Sequence, residues 1–252
     1  MAFDDRGDPR PCAVVVSERL VDVYRRIEES DRDPSQVKIV AVTKGHGTEV
    51  VAAAIEAGLV DIGENYANEL LEKASYLRDI GQDRAAVGER AAVGDHGYLP
   101  GDLAWHFLGS IQRNKVRRLA RFVSCWQGVY RRSEGEEIVK YQPGAQVFIQ
   151  VKDDSALHRN GCELGQASAL LKDLKSIGIN VIGLMTVGVL ARSESELRLA
   201  FRTVRRLADE LGLQECSMGM SSDYELALKE GSTMIRLGTA LFGPRLDQKG
   251  LM

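Results

Sequence analysis

The chain has 252 residues, with 33 Lys+Arg against 36 Asp+Glu, 44% hydrophobic and 27% charged residues, and a formal net charge of -3. This composition is that of a globular protein with a sizeable core and excludes a disordered chain. The near balance of charge gives no overall electrostatic reason to expect a nucleic acid or an anionic membrane as partner.

From Cys12, the apolar positions Val16, Leu20, Val23 and Ile27 recur at three- and four-residue steps, which predicts a helix ahead of the first strand. Val37 to Lys44 (VKIVAVTK) is a β-branched run ending in a Gly-rich turn, and Val50 to Ala57 returns to helix, stopped by Gly58. Strand-like runs follow at Leu59 to Ile62, Ala104 to Leu108, Phe122 to Trp126, Gln146 to Val151, Val181 to Val187, Glu215 to Met218 and Met234 to Leu237, making eight with the first. Between them lie helix-period segments, clearest at Leu164, Ala167, Leu171, Leu174 and Ile177, and at Leu197, Phe201, Val204, Leu207 and Leu211. Ser193 with Glu196, and Ser222 with Glu225, read as capping boxes, while Gly178, Gly212 and Gly231 read as left-handed stops. Two stretches, Gly81 to Asp102 and Arg131 to Gly144, break the alternation and read as surface excursions, the first either a mobile loop or a holder of one helical turn. Strands alternating with helices over this length predict an α/β fold: one domain, residues 1–252, forming a (β/α)8 TIM barrel with an extra N-terminal helix.

Charges near the N-terminus and a longest apolar run of only Ala13 to Val16 argue against a secretory signal. Cys12, Cys125, Cys162 and Cys216 lie far apart with no C-x-x-C pair, so no metal cluster or disulfide framework is expected, and a cytoplasmic location is. The most apolar segment, Val181 to Ala191, is broken by Gly183, Thr186 and Gly188 and is far shorter than the ~20 residues that span a bilayer.

Lys44 ends an apolar strand, where a barrel builds its sites, and partial desolvation there would suit a Schiff-base lysine; a snorkelling lysine is the plainer alternative. In SMGMSSDYELALKEG (Ser217 to Gly231) a Gly-containing turn with hydroxyls opens a helix, a setting that holds anions, with Ser221 as an added donor. Gly238 and Thr239 follow the eighth strand, and the loops after strands seven and eight of such barrels often bind phosphate. Arg236 sits inside that strand, either facing the barrel mouth or in a core ion pair with Glu64 or Asp61. Facing a pyridine nitrogen, it would keep its proton and leave the ring a weak electron sink.

VAVTK with Lys44, GENY (Gly63 to Tyr66), WHFLGSIQRNK (Trp105 to Lys115), SMGMSSD (Ser217 to Asp223) and GSTMIRLGTALFG (Gly231 to Gly243) together resemble the pyridoxal phosphate homeostasis protein family, YggS/PROSC, from about Val37 to Arg245. The resemblance implies a barrel like the N-terminal domain of alanine racemase, of the fold-type III class that binds pyridoxal 5'-phosphate (PLP). It implies that Lys44 carries PLP as a Schiff base and that Asn65 lines the pocket. It further implies that Ser221, Gly238 and Thr239, with main-chain N–H groups of Gly219 and Met220, hold the phosphate while Arg236 faces the pyridine nitrogen. No metal is implied. The turn after Lys44 reads GHGTEV where family members often have a proline, and Arg159 stands where a lysine is common. His106 is expected to be a satisfied core histidine.

The function expected is intracellular PLP homeostasis without catalysis. The partners expected are PLP and PLP-dependent apo-enzymes, with the chain a monomer or weak homodimer. The alternative is a PLP-dependent amino-acid racemase or isomerase working with Lys44 alone or with Tyr66 or Tyr224 as second acid. It is weakened because the sequence stops at Met252, close behind the last motif, where a racemase would continue into a β-domain. Nucleic-acid binding through RNKVRRLAR (Arg113 to Arg121) or RTVRR (Arg202 to Arg206) is disfavoured, since no aromatics are interleaved to stack on bases.

Overall fold

The computed structural model describes residues 13–86, 103–152, 160–188 and 193–244. Its strands are β1 (Lys38–Val42), β2 (Asp61–Glu64), β3 (Ala104–Phe107), β4 (Val123–Val129), β5 (Gln146–Lys152), β6 (Cys162–Glu163), β7 (Asn180–Met185), β8 (Glu215–Met220) and β9 (Met234–Leu237). All pair in parallel; β6 pairs only with β5, and the other eight run in the order β4-β3-β2-β1-β9-β8-β7-β5, with β5 returning to β4 to close a barrel. The eightfold alternation in the sequence is this ring.

Helices α1 (Ala13–Glu28), α2 (Thr48–Glu56), α3 (Ala67–Ala86), α4 (Arg113–Leu119), α5 (Arg132–Tyr141), α6 (Ala167–Ser176), α7 (Glu194–Glu210), α8 (Tyr224–Lys229) and α9 (Thr239–Phe242) surround it. Residues alternate between the two faces of a strand. On β1, Ile39 and Ala41 therefore join the apolar layer under the helices, while Val40 joins Cys125, Phe148, Met185 and Met234 inside the barrel. Because α9 is a single turn, the gap it leaves is covered by α1, which packs against α2, α8 and α9. Among the described residues no helix is long and apolar enough to cross a membrane.

Several local expectations are corrected. Arg131 to Gly144 is not an excursion but largely α5, seated through buried Ile138. Gly135 looks like a breaker in sequence, yet an added Cβ there would lie 2.3 Å from Leu174 Cδ2, so it marks a close approach of α5 to the α6 side. The excursion from Gly81 begins inside α3, which runs to Ala86; residues 87–102 lie outside the described residues, as do Cys12 and Arg159. The Ser193–Glu196 capping box forms, but Ser222–Glu225 does not: Asp223 is the N-cap of α8, and Glu225 instead pairs with Arg26 of α1. Gly178, Gly212 and Gly231 do adopt positive φ, at 85°, 67° and 88°.

Candidate functional site

At the carboxyl ends of the strands lies a cavity of about 590 Å³, within the range typical of small-molecule sites. Lys44, Asn65, Ser221, Ser222, Arg236 and Thr239 supply its polar lining, together with His46 and the main chain at Gly238. Val42, Leu108, Met185, Val187 and Met220 form its apolar walls, and among the described residues no carboxylate lines it. Of the residues expected to hold the ligand, Gly219 alone is missing from this lining.

Lys44 is not the last residue of its strand, as the sequence suggested. β1 ends at Val42, and Lys44 stands in the turn beyond, half-buried. Thr43 N–H still bonds to Gly63 O at 3.0 Å, which carries the ladder to the residue before Lys44. That turn is fixed from beneath. Lys73 of α3, 3% exposed, donates to the Thr43 carbonyl at 2.8 Å, to Glu64 Oε1 at 2.6 Å and to Glu69 Oε2 at 3.3 Å. Glu64 Oε1 also accepts from Thr43 Oγ1, and Glu69 Oε2 from Gly45 N–H, at 2.6 and 2.7 Å. Burial pushes the Glu64 carboxyl above its ordinary range, against the pull of Lys73 and Thr43.

Arg236 points into the barrel and makes neither of the ion pairs considered for it. Asp61 is taken by Lys38 and His106, and Glu64 faces outward to Lys73. The guanidinium, 4% exposed, instead donates to the carbonyl and hydroxyl of Ser217 and to the Thr186 carbonyl. Burial lowers its pKa to about 10, partly opposed by the charge of Asp223, so it remains a cation at neutral pH.

From Ser217 a chain of polar side chains crosses the interior. Ser217 Oγ donates to Gln127 Oε1 at 2.6 Å, Gln127 Nε2 meets His106 Nδ1 at 2.9 Å, and His106 Nε2 meets Asp61 Oδ1 at 2.8 Å. One set of roles satisfies every link: each group donates away from Arg236 and toward the Asp61 carboxylate, with His106 carrying its proton on Nε2. Burial alone would raise Asp61, but the hydrogen bond from His106, together with the charge and hydrogen bond of Lys38, holds it below its ordinary range. His106 is thus the satisfied core histidine expected of it.

Just beyond β8, Ser221 Oγ accepts from Gly238 N–H at 3.3 Å and Ala240 N–H at 3.0 Å, leaving its own hydrogen to donate. It ties the loop after β8 to the start of α9. One expected main-chain donor is corrected. Met220 N–H is given to Asp223 Oδ1 at 2.6 Å, and Met220 contributes only to the cavity wall. Gly219, at φ 95°, faces α8: an added Cβ would lie 2.8 Å from Tyr224 Cα and Ala227 Cβ.

His46 was missed because a lone histidine in a Gly-rich turn carries no sequence signal; its only marker is its place two residues after Lys44. The described cysteines, Cys125, Cys162 and Cys216, are free and buried, with thiols pushed up by burial to about 12, 11 and 12. Among the described residues no group of three or more His, Cys, Asp or Glu is placed to hold a metal ion.

The family model described as alanine racemase, N-terminal domain, matches residues 19–245. A curated relative from Pseudomonas aeruginosa, named pyridoxal phosphate homeostasis protein, is 32% identical over 91% of this chain and 96% of its own. One of the same name from Aquifex aeolicus is also 32% identical, over 90% and 97%. The solved structure of PipY from Synechococcus elongatus with PLP bound superposes with a TM-score of 0.74 at 29% identity, covering 90% of this chain and all of that one. Alanine racemase from Corynebacterium glutamicum, at 19% identity and TM-score 0.59 over 94% of this chain and 63% of its own, shares the fold. With its eight-stranded parallel barrel, the chain belongs to the pyridoxal phosphate homeostasis protein family, built on the alanine racemase N-terminal domain.

Proposed function

We propose that the protein binds PLP reversibly in the mouth cavity, as a Schiff base on Lys44, and serves PLP homeostasis in the cytoplasm by holding the cofactor and giving it up to apo-enzymes. The observation that carries this reading is the donor set of the cavity: an amine, a buried guanidinium and a cluster of hydroxyls around an apolar middle, with no carboxylate among the described residues that line it. Such a set fits a flat, partly apolar molecule bearing an aldehyde and a phosphate. PLP supplies an aldehyde for reversible Schiff-base formation and a ring that withdraws electrons. In this reading Ser221 donates its hydroxyl hydrogen to the phosphate, with Thr239 and the Gly238 main chain beside it, and Asn65 borders the ring. Arg236, held as a cation, donates to the ring nitrogen and keeps it unprotonated, which blunts electron withdrawal and favours storage over turnover. The PLP-bound relative and the names of the curated relatives support the same reading.

The racemase alternative is not favoured. Neither Tyr66, which is 57% exposed, nor Tyr224, buried at the start of α8, lines the cavity. Sustained exchange of an amino-acid α-proton in deuterated solvent, faster than with free PLP, would reverse that judgement.

The reading is tested by recording the absorbance of the purified protein before and after borohydride reduction and mapping the modified peptide. PLP fixed on Lys44 is the expected result; a label on another lysine, or none, overturns it.

A further inference from the structure

Lys73 and Glu64 present a puzzle of cost. They are 3% and 0% exposed, and neither lines the cavity. Removing two such charges from water costs several kcal/mol per ion, and apolar residues of similar volume in place of a buried pair are often neutral or stabilising. The barrel wall therefore has no need of this pair for its packing. The pair is also incompletely satisfied: Glu64 Oε2 is buried without a hydrogen-bond partner. What apolar side chains could not supply is a donor for the Thr43 carbonyl and an anchor for the glutamate that accepts the Gly45 N–H. Those two groups lie on either side of Lys44, in a turn where β1 has ended and Gly45 takes a φ of 73°. Without the cluster, this turn would retain the Thr43 and His46 main-chain bonds to Gly63 and Thr43 but lose its ties to α3.

We propose that Lys73, with Glu64 and Glu69, is a positioning clamp that holds the backbone on both sides of Lys44 and so aims the Lys44 amine into the mouth cavity. The consequence for the ligand rests on the PLP reading above. The clamp touches no ligand. It acts by limiting the directions open to the Lys44 side chain, which cuts the ordering cost of forming and keeping a bond to it.

The test uses the full chain in three forms: unsubstituted, Glu64→Gln with Lys73→Met, and Glu69→Ala. The double substitution leaves no unpaired buried charge, and Glu69 is partly exposed, so at least one variant keeps its fold. Two measurements are made: amide hydrogen exchange at Gly45 and His46 in the ligand-free protein, against a barrel amide such as Ile149, and the rate at which PLP is lost to an excess of an aldehyde-capturing amine. The clamp predicts Gly45 exchange at least about tenfold faster with Ile149 unchanged, and PLP release about five- to tenfold faster, in both variants. A purely structural role would raise exchange at Ile149 along with Gly45 and lower the melting temperature without a selective effect. Unchanged exchange at Gly45, or unchanged release from a protein shown to carry PLP on Lys44, overturns the clamp. If the unsubstituted protein takes up no PLP on Lys44, it is the ligand reading that fails, and Gly45 exchange alone decides the clamp.

Discussion

Arg236 and Ser217 are joined twice: Nη1 lies 2.7 Å from the Ser217 carbonyl oxygen and 2.8 Å from its hydroxyl. The charge is thus met by neutral oxygens, where a core guanidinium would ordinarily meet a carboxylate, and this suits a cation kept to engage a ligand.

The lowered pKa of Arg236 has a definite sign. A base whose folded pKa, about 10, falls below its ordinary unfolded value costs stability wherever it is charged in both states, and the cost fades as pH rises above about 10. Arg236→Met should therefore leave the ligand-free protein no less stable than the parent at about pH 8, with any gain shrinking at about pH 11, while PLP affinity falls. Urea unfolding at the two pH values and a PLP titration check this.

Lys44→Ala should abolish borohydride-fixed PLP and its near-visible band while leaving the circular dichroism of the barrel intact. The proposed phosphate contacts would remain, so residual binding should persist, weaker by about tenfold or more, equal to about 1.4 kcal/mol. A variant that kept the reducible band would place the reactive amine elsewhere.

Ser221→Ala should weaken PLP retention more than Thr239→Ala does, because Ser221 also holds the N–H groups of Gly238 and Ala240. A hydrogen bond to a charged group is worth about 1.5–3 kcal/mol, so equilibrium dialysis should show losses of about ten- to a hundredfold for Ser221→Ala, with the Schiff-base band retained.

Gly109→Ala should disturb the mouth from its frame. A Cβ at Gly109 would lie 1.9 Å from the Asn65 carbonyl oxygen, which no rotamer change relieves. The turn carrying Asn65 must move, so thermal denaturation should show a loss of more than about 1 kcal/mol together with weaker PLP binding.

Asp61 is held below its ordinary range, so its contribution to stability is present above about pH 3.8 and is lost as pH falls through its lower folded value. Asp61→Asn should lower stability at neutral pH, and its deficit against the parent should narrow on acidification. A deficit that stayed constant to about pH 3 would show that the Asp61 charge does not support the interior chain.

The barrel was legible because eight parallel strands buried on both faces leave continuous apolar runs such as Val37 to Val42 and Val181 to Met185. The residues of the mouth were legible because Lys44, Ser221 and Thr239 fall at strand ends and helix starts, where spacing alone fixes their end of the barrel. What escaped was what depends on partners distant in sequence. Helix α5 carries Ile138 as a buried anchor and a glycine that reads as a breaker until α6 is seen against it. The Ser222–Glu225 pattern was correct in spacing, but Arg26, about 200 positions away, claims the glutamate. Likewise Gln127, Ser217 and Lys73 are unremarkable in sequence, and only the register of the barrel aligns them with Arg236 and Thr43.

The barrel is sealed by its first and last strands, with Val40 opposite Arg236 and Ala41 opposite Leu237, and α1 lies over that seam. Ribosomal synthesis delivers β1 early, yet its edge waits unpaired on that side until β9 emerges, so cylinder closure is a late event of high contact order. Lys44 and Thr239 flank the seam from opposite ends of the polypeptide. A molecule gripped by both would act as a stitch across it, slowing the unzipping of a ring that no shorter, unfinished chain could have closed.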